Sequence, residues 1–193
     1  MERVWGVEEG YGGSCVEWIC QWKGEDGFCL HRQLHHTSEK GGKLVGFDGY
    51  KRINGTKIHA IVTRKSLPIT VQIGSGREHE GVKLIPLMES IRVRGKKKKG
   101  RPRRRPRVLY GDTKYNTPLN RIYLEKKRIR RRMPGKGVPG NQLYSKVRYT
   151  IERFFAWLKS FRRIVIRWDR LPLIYLGFVQ LGCILILLRW VSR

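Results

Sequence analysis

Carboxylates are what this chain has least of. Its 193 residues carry 42 Lys+Arg against 15 Asp+Glu, for a formal net charge of +27. Such an imbalance excludes an ordinary near-neutral domain and calls for a polyanionic partner. Nucleic acid leads, and an anionic membrane surface or ribosomal RNA would satisfy the same arithmetic. Cysteine is sparse too: the 4 residues are unevenly placed, which excludes a disulfide framework. With no secretory signal at the start, a reducing, intracellular setting is expected. Cys15, Cys20 and Cys29, followed by His31, His35 and His36, lack the C-x2-C pairing of common structural zinc sites, so their placement reads as incidental. A sustained period is missing from the first forty or so residues, where Gly, Trp, Cys and charges mix.

What is present begins at Lys43. Hydrophobic content of 40% supports a real core, and the length suits one domain. Gly46-Phe47-Asp48-Gly49 reads as a turn. Lys57–Thr63 and Leu67–Ile73 are β-rich and closely spaced, which predicts an antiparallel hairpin. His59 and His79 read as structural rather than as ligands. Val82, Leu84, Ile85, Leu87, Met88 and Ile91 predict a helix over 78–91 that Pro86 shortens or kinks. Arg94–Arg107 is a basic run whose self-repulsion predicts a solvated loop, with Lys97, Lys98, Arg103 and Arg104 as phosphate contacts. Arg107–Asp112 predicts a short strand ending in a carboxylate. Thr117-Pro118 predicts an N-cap followed by Pro at the first helical position. A short strand is expected within Lys126–Arg132, and a long helix over Gln142–Arg163. Pro172–Trp190 is apolar enough to approach the spanning criterion. Gln180 interrupts it and Gly177 and Gly182 dilute it, so the expectation is a buried helix with Cys183 as a small core residue.

In the long helix, Arg148, Glu152, Phe155 and Lys159 share a stripe at helical spacing, beside an apolar stripe of Ile151, Phe154, Leu158 and Phe161. One carboxylate thus stands between two cations. It is either an ion-pair partner or a metal ligand whose flanking cations grip phosphates. The overall pattern is α/β with acids at element ends, where ligand sites form in open sheets. Two-metal phosphodiester chemistry needs carboxylates from separate elements. Asp112 and Glu152 supply two, and a third is expected from an earlier strand.

Lys43 to His59, then Leu109-Tyr110-Gly111-Asp112, then Arg148 to Lys159 with its intact Arg-x3-Glu-x6-Lys, resemble the DDE transposases of bacterial and archaeal insertion sequences. The likeness is to the four/five superfamily and covers 43–193. Gly111 stands where that family often has Ala, and Tyr144 is off by one from the family's preceding Tyr. The resemblance implies a ribonuclease-H-like mixed sheet flanked by helices, with 1–42 as a poorly defined segment. It implies Asp112 and Glu152 as catalytic, metal-binding acids, Mg²⁺ or Mn²⁺ as cofactor, and Arg148 and Lys159 as DNA contacts. It also implies double-stranded DNA as partner, a homo-oligomer, no membrane, and a cytoplasmic, nucleoid-associated prokaryotic setting. The first acid departs from the pattern: where Asp-Ser is expected, the chain has Arg32-Gln33, and Asp26 and Asp48 are poor substitutes. The first strand is therefore expected to be altered or missing. Arg-Gln can be encoded so that a reading one nucleotide later gives Asp-Ser, and on that hypothesis the N-terminal stretch is out of frame and the chain impaired. A non-catalytic basic nucleic-acid-binding protein is the rival reading.

Overall fold

The computed structural model describes residues 27–38, 42–49, 52–93, 104–135 and 142–192; side chains of 27–38 and 142–146 are outside that description. One seven-stranded sheet organises these residues. Its strands are β1 (Gly27–Ser38), β2 (Gly46–Asp48), β3 (Ile53–Val62), β4 (Pro68–Ser75), β5 (Val108–Tyr110), β6 (Arg130–Arg132) and β7 (Ile166–Arg167). The order is β2-β3-β1-β5-β6, with β4 also paired to β3 and β7 to β1. β1 runs antiparallel to β3 and parallel to β5 and β7. β5 and β6 are parallel.

Helices cover both faces. The helices are α1 (Leu84–Glu89), α2 (Pro118–Lys126), α3 (Gln142–Lys159), α4 (Arg162–Val165) and α5 (Pro172–Val191). β3 alternates its side chains between two cores, as a central strand must. Ile58, Ala60 and Val62 meet Ile151, Phe154 and Leu158 of α3 and Tyr175, Val179 and Cys183 of α5. Ile61 meets Leu84, Leu87 and Met88 of α1, with Leu109 of β5 and Leu124 of α2. The predicted hairpin is β3–β4, with Ala60 opposite Val71. Thr117 caps α2 through Asn120 N–H, with Pro118 in its first turn.

Four expectations are corrected. The first strand, expected to be altered or missing, is present. β1 is formed and lies inside the sheet. Its register slips between His31 and Leu34, so Arg32 and Gln33 occupy a bulge. A bulge breaks the period of two that reveals a strand, and pairing on both sides depends on backbone groups rather than on side-chain pattern. The helix over 78–91 is a 3-10 turn, Glu80–Lys83, followed by α1. Pro86 falls in the first turn of α1, where its missing N–H has no intrahelical partner to lose. The long helix stops at Lys159, and α4 restarts after Ser160-Phe161. The C-terminal helix is not buried all round. Tyr175, Val179, Gly182, Cys183 and Ile186 face inward, while Leu173, Ile174, Leu181, Leu185 and Leu188 are exposed. By length and hydropathy α5 could cross a membrane, yet it packs on β4 and α3.

Arg167 closes the sheet at the far end of β1. It is fully buried, and its guanidinium donates to the carbonyls of Asp169 (2.8 Å) and Lys43 (2.9 Å) and to Thr56 Oγ1. Its face also lies over the Tyr175 ring, so one cation joins β3, β7 and α5. Burial pulls its pKa below the ordinary arginine value.

Candidate functional site

Asp112 stands just past the end of β5. Leu109 is buried on the α1–α2 side, and Tyr110 packs toward the core of α3 and α5. The Asp112 carboxylate accepts from Thr113 N–H at 2.7 Å and so caps the 3-10 turn Thr113–Tyr115. Three further contacts fix that turn. Lys114 Nζ donates to the buried Glu80 carboxylate at 2.8 Å. Tyr115 OH pairs with His59 Nδ1 at 2.9 Å, both groups being buried. Asn120 Nδ2 donates to the carbonyls of Tyr115 and Gly81, each at 2.9 Å. The turns meet so closely that a Cβ on Gly81 would stand 2.7 Å from Thr117 Cγ2. Burial opposes the Lys114 charge, but the hydrogen bond to Glu80 and the charges of Glu80, Asp112 and Asp48 outweigh it and raise its pKa. Burial, then the charges of Glu80 and Asp112, holds the Tyr115 phenol well above its ordinary range.

Glu152 has a different setting. On α3, Arg148 Nε donates to Glu152 Oε1 at 2.9 Å, with the two side chains 49% and 42% exposed. An exposed pair of this kind is worth about 0–1 kcal/mol. Lys159 is exposed on the same side of the helix, whereas Phe155 is buried. Three residues beyond Glu152 the helix has turned to within roughly 60° of a full turn, enough to carry Phe155 into the core. Ile151, Phe154 and Leu158 are buried as their spacing predicts. Tyr110, two residues before Asp112, packs against the cluster that contains Val147 and Ile151 of α3. The strand that leads to one acid and the helix bearing the other thus border the same apolar cluster.

The remaining candidates divide. Arg104 is described and exposed; Lys97, Lys98, Arg103 and Asp26 lie outside the described residues, as do Cys15 and Cys20. Asp48 is buried and pairs with Lys57 at 3.4 Å. His59 is bound to Tyr115, and His79 Nδ1 accepts from Gly81 N–H at 3.2 Å. Among the described residues no group of three or more His, Cys, Asp or Glu is arranged to hold a metal ion. The described residues therefore do not complete a three-ligand cation site. The groups that fix the Asp112 turn, Glu80, Tyr115 and Asn120, have no local signature in the sequence. Glu80 lies 34 positions before the lysine it binds. Only the Thr117-Pro118 capping signal marks the segment as tightly built.

The sequence model for the family described as the transposase DDE domain matches residues 26–187, which takes in β1, β5 and α3. A protein described as a putative transposase for insertion sequence element IS402, from Burkholderia cepacia, is 32% identical over 133 residues. That stretch is 68% of this chain and 62% of the relative, so the chain spans less than two thirds of the relative's length. With a family match that runs through most of the described sheet and both flanking layers, the chain belongs to the transposase DDE domain family.

Proposed function

We propose that this chain acts on DNA as the catalytic domain of an insertion-sequence transposase, the activity being phosphodiester cleavage and strand transfer at transposon ends. The observation that carries the reading is the family match across 26–187, which includes both acid-bearing elements. We assign Asp112 and Glu152 as the retained acids. Arg148 orients the Glu152 carboxylate through their 2.9 Å bond. Arg148, Lys159 and the basic run with Lys97, Lys98, Arg103 and Arg104 bind the phosphates, and cations of this kind give affinity without base information. The ribonuclease-H-like arrangement is part of the proposal, as is assembly into a homo-oligomer working in the cytoplasm at the nucleoid.

Transposase DDE domains use a divalent metal, for which Mg²⁺ or Mn²⁺ is our assignment. Two carboxylates fall short of the ligand set expected for two-metal chemistry, and Arg32 and Gln33 sit where a first acid is expected. Loss of that acid should remove most activity. The chain is then an impaired member that still binds DNA. An out-of-frame N-terminal stretch is our explanation, and resequencing the gene around codons 32–40 tests it: no reading that yields Asp-Ser there means the explanation is wrong.

The function itself is tested by nicking of transposon-end DNA with Mg²⁺ or Mn²⁺, beside a DNA-binding assay. Binding with weak or no nicking is expected. Robust nicking that survives Glu152→Gln would reject the assignment of Glu152. No binding to any DNA would reject the function.

A further inference from the structure

β6 is the terminal strand of the sheet path, and it consists of three consecutive arginines. Arg130, Arg131 and Arg132 are all exposed. Charges on a free edge can serve merely to stop edge-to-edge association. Three observations go further. The first is that these charges are unopposed. Some exposed cations elsewhere are neutralised by carboxylates, as in Arg163–Asp169 and Lys127–Glu89. Among the described residues, Arg121, Arg130, Arg131 and Arg132 form no ion pair.

The second observation is orientation. Asn116 Oδ1 accepts from Arg121 Nε at 2.8 Å and from Arg131 Nη1 at 3.3 Å. A neutral amide holds both guanidinium groups in place without cancelling their charge, and Asn116 Nδ2 is itself tied to the Pro134 carbonyl at 3.2 Å. Asn116 closes the turn that Asp112 opens. The arginine edge and the candidate acid therefore share one anchored segment.

The third is placement. Tyr110 is paired with Arg132, Leu109 with Arg131 and Val108 with Arg130. Paired residues of parallel strands share a face. Arg130 and Arg132 thus lie on the α3 side with Tyr110, and Arg131 lies on the α1–α2 side with Leu109. The edge presents cations to both sides, and Arg132 ends level with the residue two before Asp112. Arg130 and Arg132 are spaced roughly 6.6 Å along the strand. That is close to two nucleotide rises of about 3.4 Å in a duplex.

We propose that this edge, Arg130, Arg131 and Arg132 with Arg121, is a phosphate-binding surface that holds duplex DNA and leads it to the end of β5. It is separate from the Arg148–Lys159 stripe of α3, and it rests on the reading of the chain as a DNA-acting transposase domain. The test is the salt dependence of duplex-DNA binding by the whole chain. Arg130→Gln/Arg132→Gln is compared with Arg64→Gln/Lys65→Gln, which removes equal charge from the exposed β3–β4 turn. Each phosphate contact contributes about 0.9 to the slope of log affinity against log salt. The edge variant should lose close to 2 from that slope and the turn variant little, with thermal midpoints unchanged. Arg131→Gln alone should lose about 1. If a double variant unfolds, the single substitutions Arg130→Gln and Arg132→Gln give the same reading at half the size.

An unchanged slope in the edge variants, with wild-type binding intact, overturns this surface and leaves the functional reading standing. Equal losses in both double variants also overturn it, since charge alone would then suffice. Preference for an RNA duplex of the same length does so as well. A wild-type chain with no salt-dependent DNA binding overturns both readings together.

Discussion

On one side of the sheet α3 and α5 bury Phe154, Leu158, Tyr175 and Val179 against Ile58, Ala60 and Val62. On the other, the two 3-10 turns bury Glu80, His59, Tyr115 and Asn120 beside the leucines of α1 and α2. The first side is held by apolar area, which is additive and tolerant of detail. The second is held in part by buried hydrogen bonds, whose directional geometry makes it less tolerant of substitution. The two candidate acids divide in the same way. Asp112 opens the hydrogen-bonded segment, whereas Glu152 stands on the exposed surface of α3 with Arg148 as its hydrogen-bonded partner. An acid on a fixed turn and an acid on a helix surface differ in how far a neighbour's mutation can move them.

Substitutions that attack each side separately sharpen this contrast. Phe154→Ala should cost the most, about 3–5 kcal/mol in denaturant unfolding, because a fully buried ring leaves a cavity. Asn120→Ala should follow at about 2–3 kcal/mol, since the carbonyls of Gly81 and Tyr115 lose their donor in the interior. A smaller loss for Asn120→Ala than for an exposed substitution would break the contrast outright. Tyr115→Phe should cost about 1–2 kcal/mol by unpairing His59 Nδ1, read from the thermal midpoint. Arg148→Ala should change stability by less than about 1 kcal/mol. Its effect should appear in DNA binding instead, which is how a surface residue with a function separates from one without.

The smallest effect concerns pH. The hydrogen bond from Tyr123, then that from Lys127, lowers the Glu89 pKa from its ordinary value of 4.5. A depressed carboxylate contributes stability that is present above its unfolded pKa and lost as pH falls through the folded one. Glu89→Gln should therefore lower stability slightly near neutrality and converge on the wild-type chain as pH falls well below 4.5. Urea titrations at both pH values check this.

The apolar side was the legible one. Ile151, Phe154 and Leu158 announced their burial through helical spacing, and the β3–β4 hairpin showed in its β-branched runs. Thr117-Pro118 marked the start of α2 to the residue, because capping is a local interaction. β1 was not legible, since a bulge at Arg32 and Gln33 destroys its alternation and its partners lie far away in sequence. Nor was the polar side: Glu80 with Lys114, and His59 with Tyr115, are pairs that only the folded chain creates. Of the candidate site, Asp112 and Glu152 were read from pattern and resemblance. At Arg130–Arg132 a short strand was legible but its edge position was not, because the exposure of three successive strand residues depends on the strand's having one neighbour among those described.

β1 also constrains the order of assembly. Its antiparallel neighbour β3 follows closely in the chain, but its parallel neighbours, at Val108–Tyr110 and Ile166–Arg167, are made much later. During synthesis the early strand waits on the ribosome with one hydrogen-bonding side open until most of the polypeptide has emerged. Closing so distant a pairing is slow, and the waiting strand is a template for other chains. The yield of refolded chain should therefore rise on dilution, which keeps that open edge from meeting another copy.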